Sequence, residues 1–126
     1  MSVEAILGTK GHDVATIAPS ATTIMAARMM KERRIGAVVV VEGEAVMGII
    51  TERDIVNAVV DRGGGALGDT VAAVMRANVV SCTRQDSLKA IMEKRTVHRT
   101  RHLPVIENGA LVGLVSIGDA VKKRLE

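Results

Sequence analysis

Residues 48–54 read Gly-Ile-Ile-Thr-Glu-Arg-Asp, and residues 113–119 read Gly-Leu-Val-Ser-Ile-Gly-Asp. Each stretch consists of a glycine, two apolar residues, a hydroxyl residue and, three positions later, an aspartate. The same offset of 65 residues aligns the rest of the chain without a gap, for example Val40 with Val105. Because ordered glycine, hydroxyl and acidic matches in one register rarely arise by chance, the sequence indicates an internal duplication.

The hydrophobic pattern around these stretches predicts the same order of elements, β-α-β-β-α, in both copies. A hydroxyl residue, Thr22 or Ser87, precedes each helical pattern and is a typical N-cap. Runs of β-branched residues around short glycine-containing turns predict one β-hairpin in each copy. The predicted segments are 14–17, a helix after Thr22, 37–41, 45–50 and 54–60 in the first copy, and 79–82, a helix after Ser87, 103–106, 110–115 and 119–125 in the second.

These segments predict a mixed α+β or α/β fold of two repeats, residues 10–62 and 71–126, joined by a glycine-rich linker at 63–70. A half of about 50 residues is too small to bury one face of its sheet alone. We therefore expect the halves to pack sheet to sheet around a pseudo-twofold axis, which would create two equivalent clefts.

The composition excludes several classes of protein. The 126 residues include no Phe, Tyr or Trp, which removes the aromatic platforms on which single-stranded nucleic acids stack. The single cysteine cannot form an internal disulfide, and no apolar run approaches the roughly 18 residues of a membrane helix. We therefore expect a cytoplasmic protein with no membrane partner. The basic clusters behind the net charge of +3 are interpreted as solvated surface, and nucleic-acid binding is not expected.

The repeated Thr/Ser-x-x-Asp motif has two interpretations. As a capping box, its hydroxyl and carboxylate bond the free amides at the start of the following helix. As a ligand site, the helix N-terminus favours a phosphate, and the aspartate accepts hydrogen bonds from ribose hydroxyls. The two interpretations are compatible, and the occurrence of the motif in both copies favours ligand use. Arg53 adds a planar donor group suited to phosphate, whereas its counterpart is Gly118, so the two sites are expected to differ.

The sequence offers little for catalysis or metal binding. It contains no glycine-rich phosphate loop and no recognisable nucleophile–base arrangement, so we do not expect an enzyme. His98 and His102 lie four residues apart, but a zinc site needs a third ligand, and Pro104 indicates an extended segment at His102. Cys82 aligns with Ile17 and is interpreted as a small core residue.

With these motifs, the chain resembles a tandem pair of CBS domains, also called a Bateman module. The resemblance rests on the duplicated glycine-to-aspartate motif, on Val-Ala-Thr-Ile-Ala-Pro at 14–19, on Val-Val-Ser-Cys-Thr at 79–83 and on Arg-His-Leu-Pro-Val at 101–105. It covers residues 10–124 and leaves no room for a catalytic domain, which implies a stand-alone CBS-domain protein.

The resemblance implies a regulatory module without a catalytic cofactor, which binds AMP, ADP, ATP, NAD or S-adenosylmethionine in clefts built from both repeats. It also implies a homodimer and a further protein partner of unknown identity. The alternative is a scaffold or dimerisation module without a ligand, in which the Thr/Asp pairs act only as helix caps. Carried over by position, the first cleft comprises Ile49, Thr51, Arg53, Asp54, Val79, Val80, Thr100, Arg101 and His102. The mirror cleft comprises Val14, Ala15, Ile35, Gly36, Ala37, Leu114, Ser116 and Asp119.

The first helix of the second repeat departs from the family pattern, because polar residues replace apolar ones there. The polar residues and the residues they align with are Lys94, Arg95 and Thr100 against Met29, Met30 and Ile35. Either this helix frays and exposes its cations to a ligand, or the alignment is locally wrong.

Overall fold

A computed structural model describes residues 2–10, 14–116 and 118 of the chain. Residue contacts divide the chain into two compact units. We call Ala15–Val79 the central unit; the terminal unit combines Met1–Val14 with Val80–Glu126. The predicted repeats, residues 10–62 and 71–126, were defined by duplication in the sequence, whereas these units are defined by contacts. The repeat boundaries therefore stay a prediction.

The central unit contains a three-stranded sheet in the order β1-β2-β3, with β1 parallel to β2 and β2 antiparallel to β3. Thr22 precedes α2 in extended conformation, and α2 ends at Arg34, whose φ of 56° is left-handed. The elements are β1 (Thr16–Ile17), α2 (Thr23–Arg33), β2 (Ala37–Glu42), β3 (Ala45–Thr51), α3 (Glu52–Arg62), a 3₁₀ helix (Gly64–Gly68) and α4 (Val71–Val74).

Both faces of the β2–β3 hairpin are buried. Val39 on β2 and Ile49 on β3 lie on one face. On the other face, the alternate residues Val38 and Val40 on β2 and Ile50 on β3 are completely buried and belong to the core cluster of the central unit. Their neighbours in the core cluster come from β1 and the helices: Ile17, Ala26, Met30, Ile55 and Val71.

The predicted glycine-rich linker at 63–70 packs within the central unit, where Gly64–Gly68 form a 3₁₀ helix. Ala66 of the 3₁₀ helix is buried. The Thr23 N–H donates to Asp69 O at 2.8 Å, and the Val71 N–H donates to Ala21 O at 2.7 Å. These bonds hold α4 against the start of α2.

The terminal unit contains the antiparallel pair β4–β5, and it includes the N-terminal helix. Its elements are α1 (Val3–Lys10), α5 (Leu88–His98), β4 (His102–Glu107) and β5 (Ala110–Ser116). The predicted strand at 79–82 is formed only in part: Cys82 alone makes a parallel bridge, to Val105. The predicted closing helix at 119–125 lies outside the described residues.

The core of the terminal unit depends on α1. Val3, Ile6 and Leu7 of α1 pack in one buried cluster with Ile91 of α5 and three strand residues, Leu103, Val105 and Val115, together with Cys82. A chain segment from before the first repeat therefore completes the core that the second repeat forms.

Both hairpins form where the sequence predicts them. Asn108 and Gly109 have φ of 52° and 80°, the left-handed values that a two-residue hairpin turn requires.

In the part of the chain that the structure describes, every helix is too short or too polar to cross a bilayer.

Candidate ligand site

The repeated motif of the central unit forms a complete capping box at the start of α3. The backbone N–H and the Oγ1 of Thr51 both donate to Asp54 Oδ2, each at 2.9 Å. The Asp54 N–H lies 3.3 Å from Thr51 Oγ1, which accepts its hydrogen bond. The capping interpretation is therefore confirmed for this copy, whereas Asp119 of the second copy lies outside the described residues.

Asp54 has a second partner that sequence reasoning missed. Arg76 Nε donates to Asp54 Oδ1 at 3.1 Å. Arg76 aligns with Gly11, so the comparison of the two repeats gave no signal for it. The backbone of Arg76 exchanges two hydrogen bonds with Ile49 on β3, at 2.9 and 3.0 Å, which fixes its position at the edge of the strand.

Predicted residues of both clefts meet at one end of the β2–β3 hairpin. Ala37 lies opposite Thr51 in the ladder, and Gly36 O accepts a hydrogen bond from the Glu52 N–H at 3.0 Å. Ile49 lies two residues before Thr51 on β3, on the same face of the strand, and is buried. The end of β3 thus brings small and aliphatic residues beside the Thr51 hydroxyl.

The other predicted residues of the central unit lie around this point. Ala15 O accepts from the Val39 N–H at 3.1 Å, and the Ile35 N–H donates to Met30 O at 3.0 Å. Arg53 is exposed on the first turn of α3, and Val79 is half-buried.

The terminal unit repeats the strand-end arrangement. His102 lies opposite Ser116, as Ala37 lies opposite Thr51. Thr100 Oγ1 donates to His102 O at 2.9 Å, which fixes the entry to β4, and Arg101 beside it is exposed. The remaining predicted residues of this unit are half-buried: Val14, Val80 and Leu114.

The polar helix α5 neither frays nor exposes all its cations. Lys94 Nζ donates to Ser81 O at 2.8 Å and to Asp86 Oδ2 at 3.2 Å. Burial alone would raise the pKa of Asp86, but hydrogen bonds from the Thr83 N–H and from Lys94 outweigh it and hold that pKa below its ordinary value. Lys94 therefore stabilises its own unit. Of the two alternatives, the frayed helix is wrong, because α5 is a continuous helix over Leu88–His98. Arg95 is exposed.

Neither a reactive thiol nor a metal site is present in the described part of the chain. Burial, with a smaller contribution from Asp86, raises the pKa of Cys82 to about 12, as befits a core residue. Among the described residues no group of three or more His, Cys, Asp and Glu side chains is placed to hold a metal ion.

A shallow apolar groove of about 330 Å³ runs between α2 and α3 of the central unit. It is lined by Ala27, Met30, Lys31, Glu52, Ile55 and Val56. None of the predicted site residues lines it, so it is a surface separate from the strand-end site.

Comparison with known proteins assigns the chain to a family. A family model described as "CBS domain" matches residues 4–61 and 71–126. The CBS domain-containing protein YhcV of Bacillus subtilis is 35% identical over 118 residues, which span 93% of this chain and 83% of that protein.

Two crystal structures are similar over nearly the whole chain. The CBS-domain containing protein ATU1752 of Agrobacterium tumefaciens superposes with a TM-score of 0.95 at 43% identity, covering 98% of this chain and 99% of that one. The CBS domain protein PAE2072 of Pyrobaculum aerophilum, solved in complex with AMP, superposes with a TM-score of 0.83 at 24% identity, covering 94% and 89%. At that identity, the second likeness shows the fold alone.

The matches agree with the mixed α/β architecture and its two sheets. Proteins named for this domain are regulatory modules and generally non-catalytic. The chain belongs to the CBS domain family and carries two CBS domains in tandem.

Proposed function

We propose that this protein is a non-enzymatic regulatory module that binds an adenosine-containing ligand, namely AMP, ADP, ATP, NAD or S-adenosylmethionine, in clefts to which both repeats contribute. One observation carries the proposal. Asp54 Oδ2 alone completes the capping box, so the other carboxylate oxygen is not needed to start α3. Capping and ligand binding therefore do not compete for the same atom.

Several of the predicted residues have a definite role in this proposal. The aspartate accepts hydrogen bonds from the ribose hydroxyls, and the partial positive charge at the N-terminus of α3 favours a phosphate. Arg53, exposed on that turn, adds positive charge. Because the chain has no aromatic side chain, aliphatic residues such as Ile49 and Val80 would hold the adenine.

The AMP complex of the Pyrobaculum aerophilum protein supports the choice of ligand class only through the shared fold.

The test is a thermal-shift titration with AMP, ATP, NAD and S-adenosylmethionine. At a ligand concentration 100 times the dissociation constant, the free energy of unfolding should rise by about 2.7 kcal/mol. Asp54→Ala combined with Asp119→Ala should abolish this rise. Ser87→Ala removes a helix cap outside the site. This variant should be less stable than the natural chain without ligand, yet its free energy of unfolding should rise by the same amount when ligand is added.

Two results would contradict the proposal: no ligand raises the midpoint of the natural chain, or the double aspartate variant responds as strongly as the natural chain. A second readout is independent of stability. Because the chain has no Trp or Tyr, an absorbance band at 260 nm in nucleic-acid-free protein would report a nucleotide that survives purification.

The second candidate function is a dimerisation scaffold without a ligand. The apolar groove between α2 and α3 favours it, because Val56 on its rim and Val60 one turn further are both exposed. Lys31 and Glu52 both line this groove, so the groove carries one charge of each sign, which is compatible with a self-complementary contact between two copies. Sedimentation of the ligand-free protein as a dimer, with no thermal response to any nucleotide, would favour this scaffold over the ligand-binding module.

A further inference from the structure

The two carboxylate oxygens of Asp54 have different partners. Oδ2 accepts both hydrogen bonds from Thr51, and Oδ1 accepts one from Arg76 Nε at 3.1 Å. The Asp54 side chain is only 8% exposed, whereas that of Arg76 is 50% exposed. Arg76 therefore covers the oxygen that the cap leaves available.

The backbone of Arg76 is held tightly, but its side chain is not. Its N–H and C=O both bond to Ile49 on β3, so the residue stays in place when its side chain moves. Because half of the Arg76 side chain is exposed, water can solvate the guanidinium when it leaves, and an incoming hydroxyl would replace its hydrogen bond to the buried carboxylate. The guanidinium can leave Asp54 without any change in the strand or in the cap.

The glycine of the repeated motif is what brings Arg76 to this position. A Cβ atom on Gly48 would lie 2.6 Å from Arg76 O and 2.7 Å from Met75 Sδ, far closer than real Cβ contacts. In the terminal unit the equivalent Gly113 is approached by the apolar Leu7 instead. Among the described residues, the motif glycine therefore adjoins Arg76 in the central unit and an apolar side chain in the terminal unit.

We propose that Arg76 is a displaceable counter-ion in the ligand site and a specificity determinant. A ribose hydroxyl replaces its Nε at Asp54 Oδ1, and the released guanidinium then favours ligands that carry a negative charge near the ribose over neutral ones. A planar guanidinium suits phosphate oxygens, to which it donates two parallel hydrogen bonds. This role rests on the proposed function and assigns the central-unit site to phosphorylated adenosine ligands.

The experiment measures the dissociation constants of AMP and adenosine by isothermal titration calorimetry for the natural chain and for Arg76→Met, which keeps the aliphatic stem and removes the charge and donors. The natural chain should bind AMP at least tenfold more tightly than adenosine. Arg76→Met should reduce the ratio of the adenosine to the AMP dissociation constant at least fivefold. In this variant adenosine has no cation to displace, and the phosphate of AMP has no guanidinium to contact.

Two further variants separate charge from general perturbation. Arg62→Gln removes another arginine of the central unit, at the opposite end of α3, where it pairs with Asp69, and should leave the ratio unchanged. Arg76→Lys keeps the charge and should retain at least half of the natural preference. If Arg76→Met does not fold, Arg76→Gln takes its place, because it also removes the charge while keeping a polar side chain at this exposed position. An unchanged ratio of the two dissociation constants in that variant would overturn the role of Arg76.

The outcomes distinguish the two proposals. Binding of AMP with the same preference in the natural chain and in Arg76→Met would overturn the counter-ion alone. Failure of AMP and adenosine to bind any of these proteins would overturn the proposed function and the counter-ion together. Binding of adenosine to Arg76→Met but not to the natural chain would support both.

Discussion

The two units carry the same β-hairpin with different supports. In the central unit Gly48 is covered by backbone, the carbonyl of Arg76, whereas in the terminal unit Gly113 is covered by the flexible end of Leu7. A rigid neighbour cannot yield to an added atom, but a side-chain tip can. The duplicated glycine is therefore expected to be far less replaceable in the central unit.

The helices that pack on the two sheets also differ. Met29 of α2 packs against an apolar core, whereas Lys94 at the equivalent place on α5 bonds to Ser81 O and to Asp86. One fold thus tolerates a methionine and an ion pair at the same position, provided that the lysine finds buried or half-buried oxygens to bond. The same sequence position is a packing position in one unit and a polar anchor in the other.

The largest expected difference concerns the two glycines. Gly48→Ala should lower the free energy of unfolding by about 3 kcal/mol and Gly113→Ala by about 1 kcal/mol, the range typical of overpacking. Urea denaturation of both variants measures the difference. Gly8→Ala on α1, where the added Cβ meets no neighbour within 4 Å, serves as control and should be stabilising by up to about 1 kcal/mol. Equal losses for Gly48→Ala and Gly113→Ala would show that the two supports are alike.

The next effect tests the polar anchor. Lys94→Met introduces the residue that α2 has at this place, and it should destabilise the protein by about 1 kcal/mol, because Ser81 O and Asp86 lose a charged donor that packing only partly replaces. Lys89→Met, at an exposed position of the same helix, should change the stability little. A Lys94→Met variant as stable as the natural chain would mean that the ion pair adds nothing to apolar packing.

The same variant should alter the response to acid. The pKa of Asp86 is lowered in the folded protein, so its carboxylate stabilises the fold above the ordinary aspartate pKa and this stabilisation is lost as the pH falls through the folded value. The stability difference between the natural chain and Lys94→Met should therefore shrink as the pH is lowered from about 5 to about 2. A difference that is constant over this range would exclude the Asp86 contact as its source.

The smallest effect concerns the N-caps of α2 and α5. Ser87 Oγ accepts a hydrogen bond from the Ala90 N–H at 3.1 Å, whereas the Thr22 side chain makes no capping bond. Ser87→Ala should cost about 1 kcal/mol, and Thr22→Ala no more than a few tenths, roughly 0.3 kcal/mol. Thermal unfolding of the two variants side by side measures this, and a Thr22→Ala loss equal to that of Ser87→Ala would mean that the hydroxyl of Thr22 caps its helix after all.

Much of the fold was predictable because its signals are local. The spacing of Thr51 and Asp54 predicts a capping box, and the Asn108-Gly109 pair predicts a tight hairpin turn, since each depends on residues three or fewer apart. The duplication itself is visible as an offset in the sequence. A frayed α5 was one of two alternatives, and it is wrong because a poorly amphipathic pattern does not show that Lys94 has a carbonyl and a carboxylate within reach.

The candidate site was predictable only in part. Its repeated residues were found because they match between the two copies, but Arg76 was not, because its aligned residue is Gly11 and it reaches Asp54 from 22 residues away. Likewise, α1 precedes the first repeat in sequence, yet it completes the core of the terminal unit. The composition of the chain gives no sign of either contact.

The amino-acid sequence by itself determined that this chain is two copies of one small α/β repeat, with helices that begin at hydroxyl residues and hairpins that turn at glycine. Local hydrogen bonds and backbone conformation are enough to specify these features. Only the tertiary structure decided which helix covers which sheet and which cation lies against Asp54, because such contacts depend on side chains that meet only after distant segments have packed.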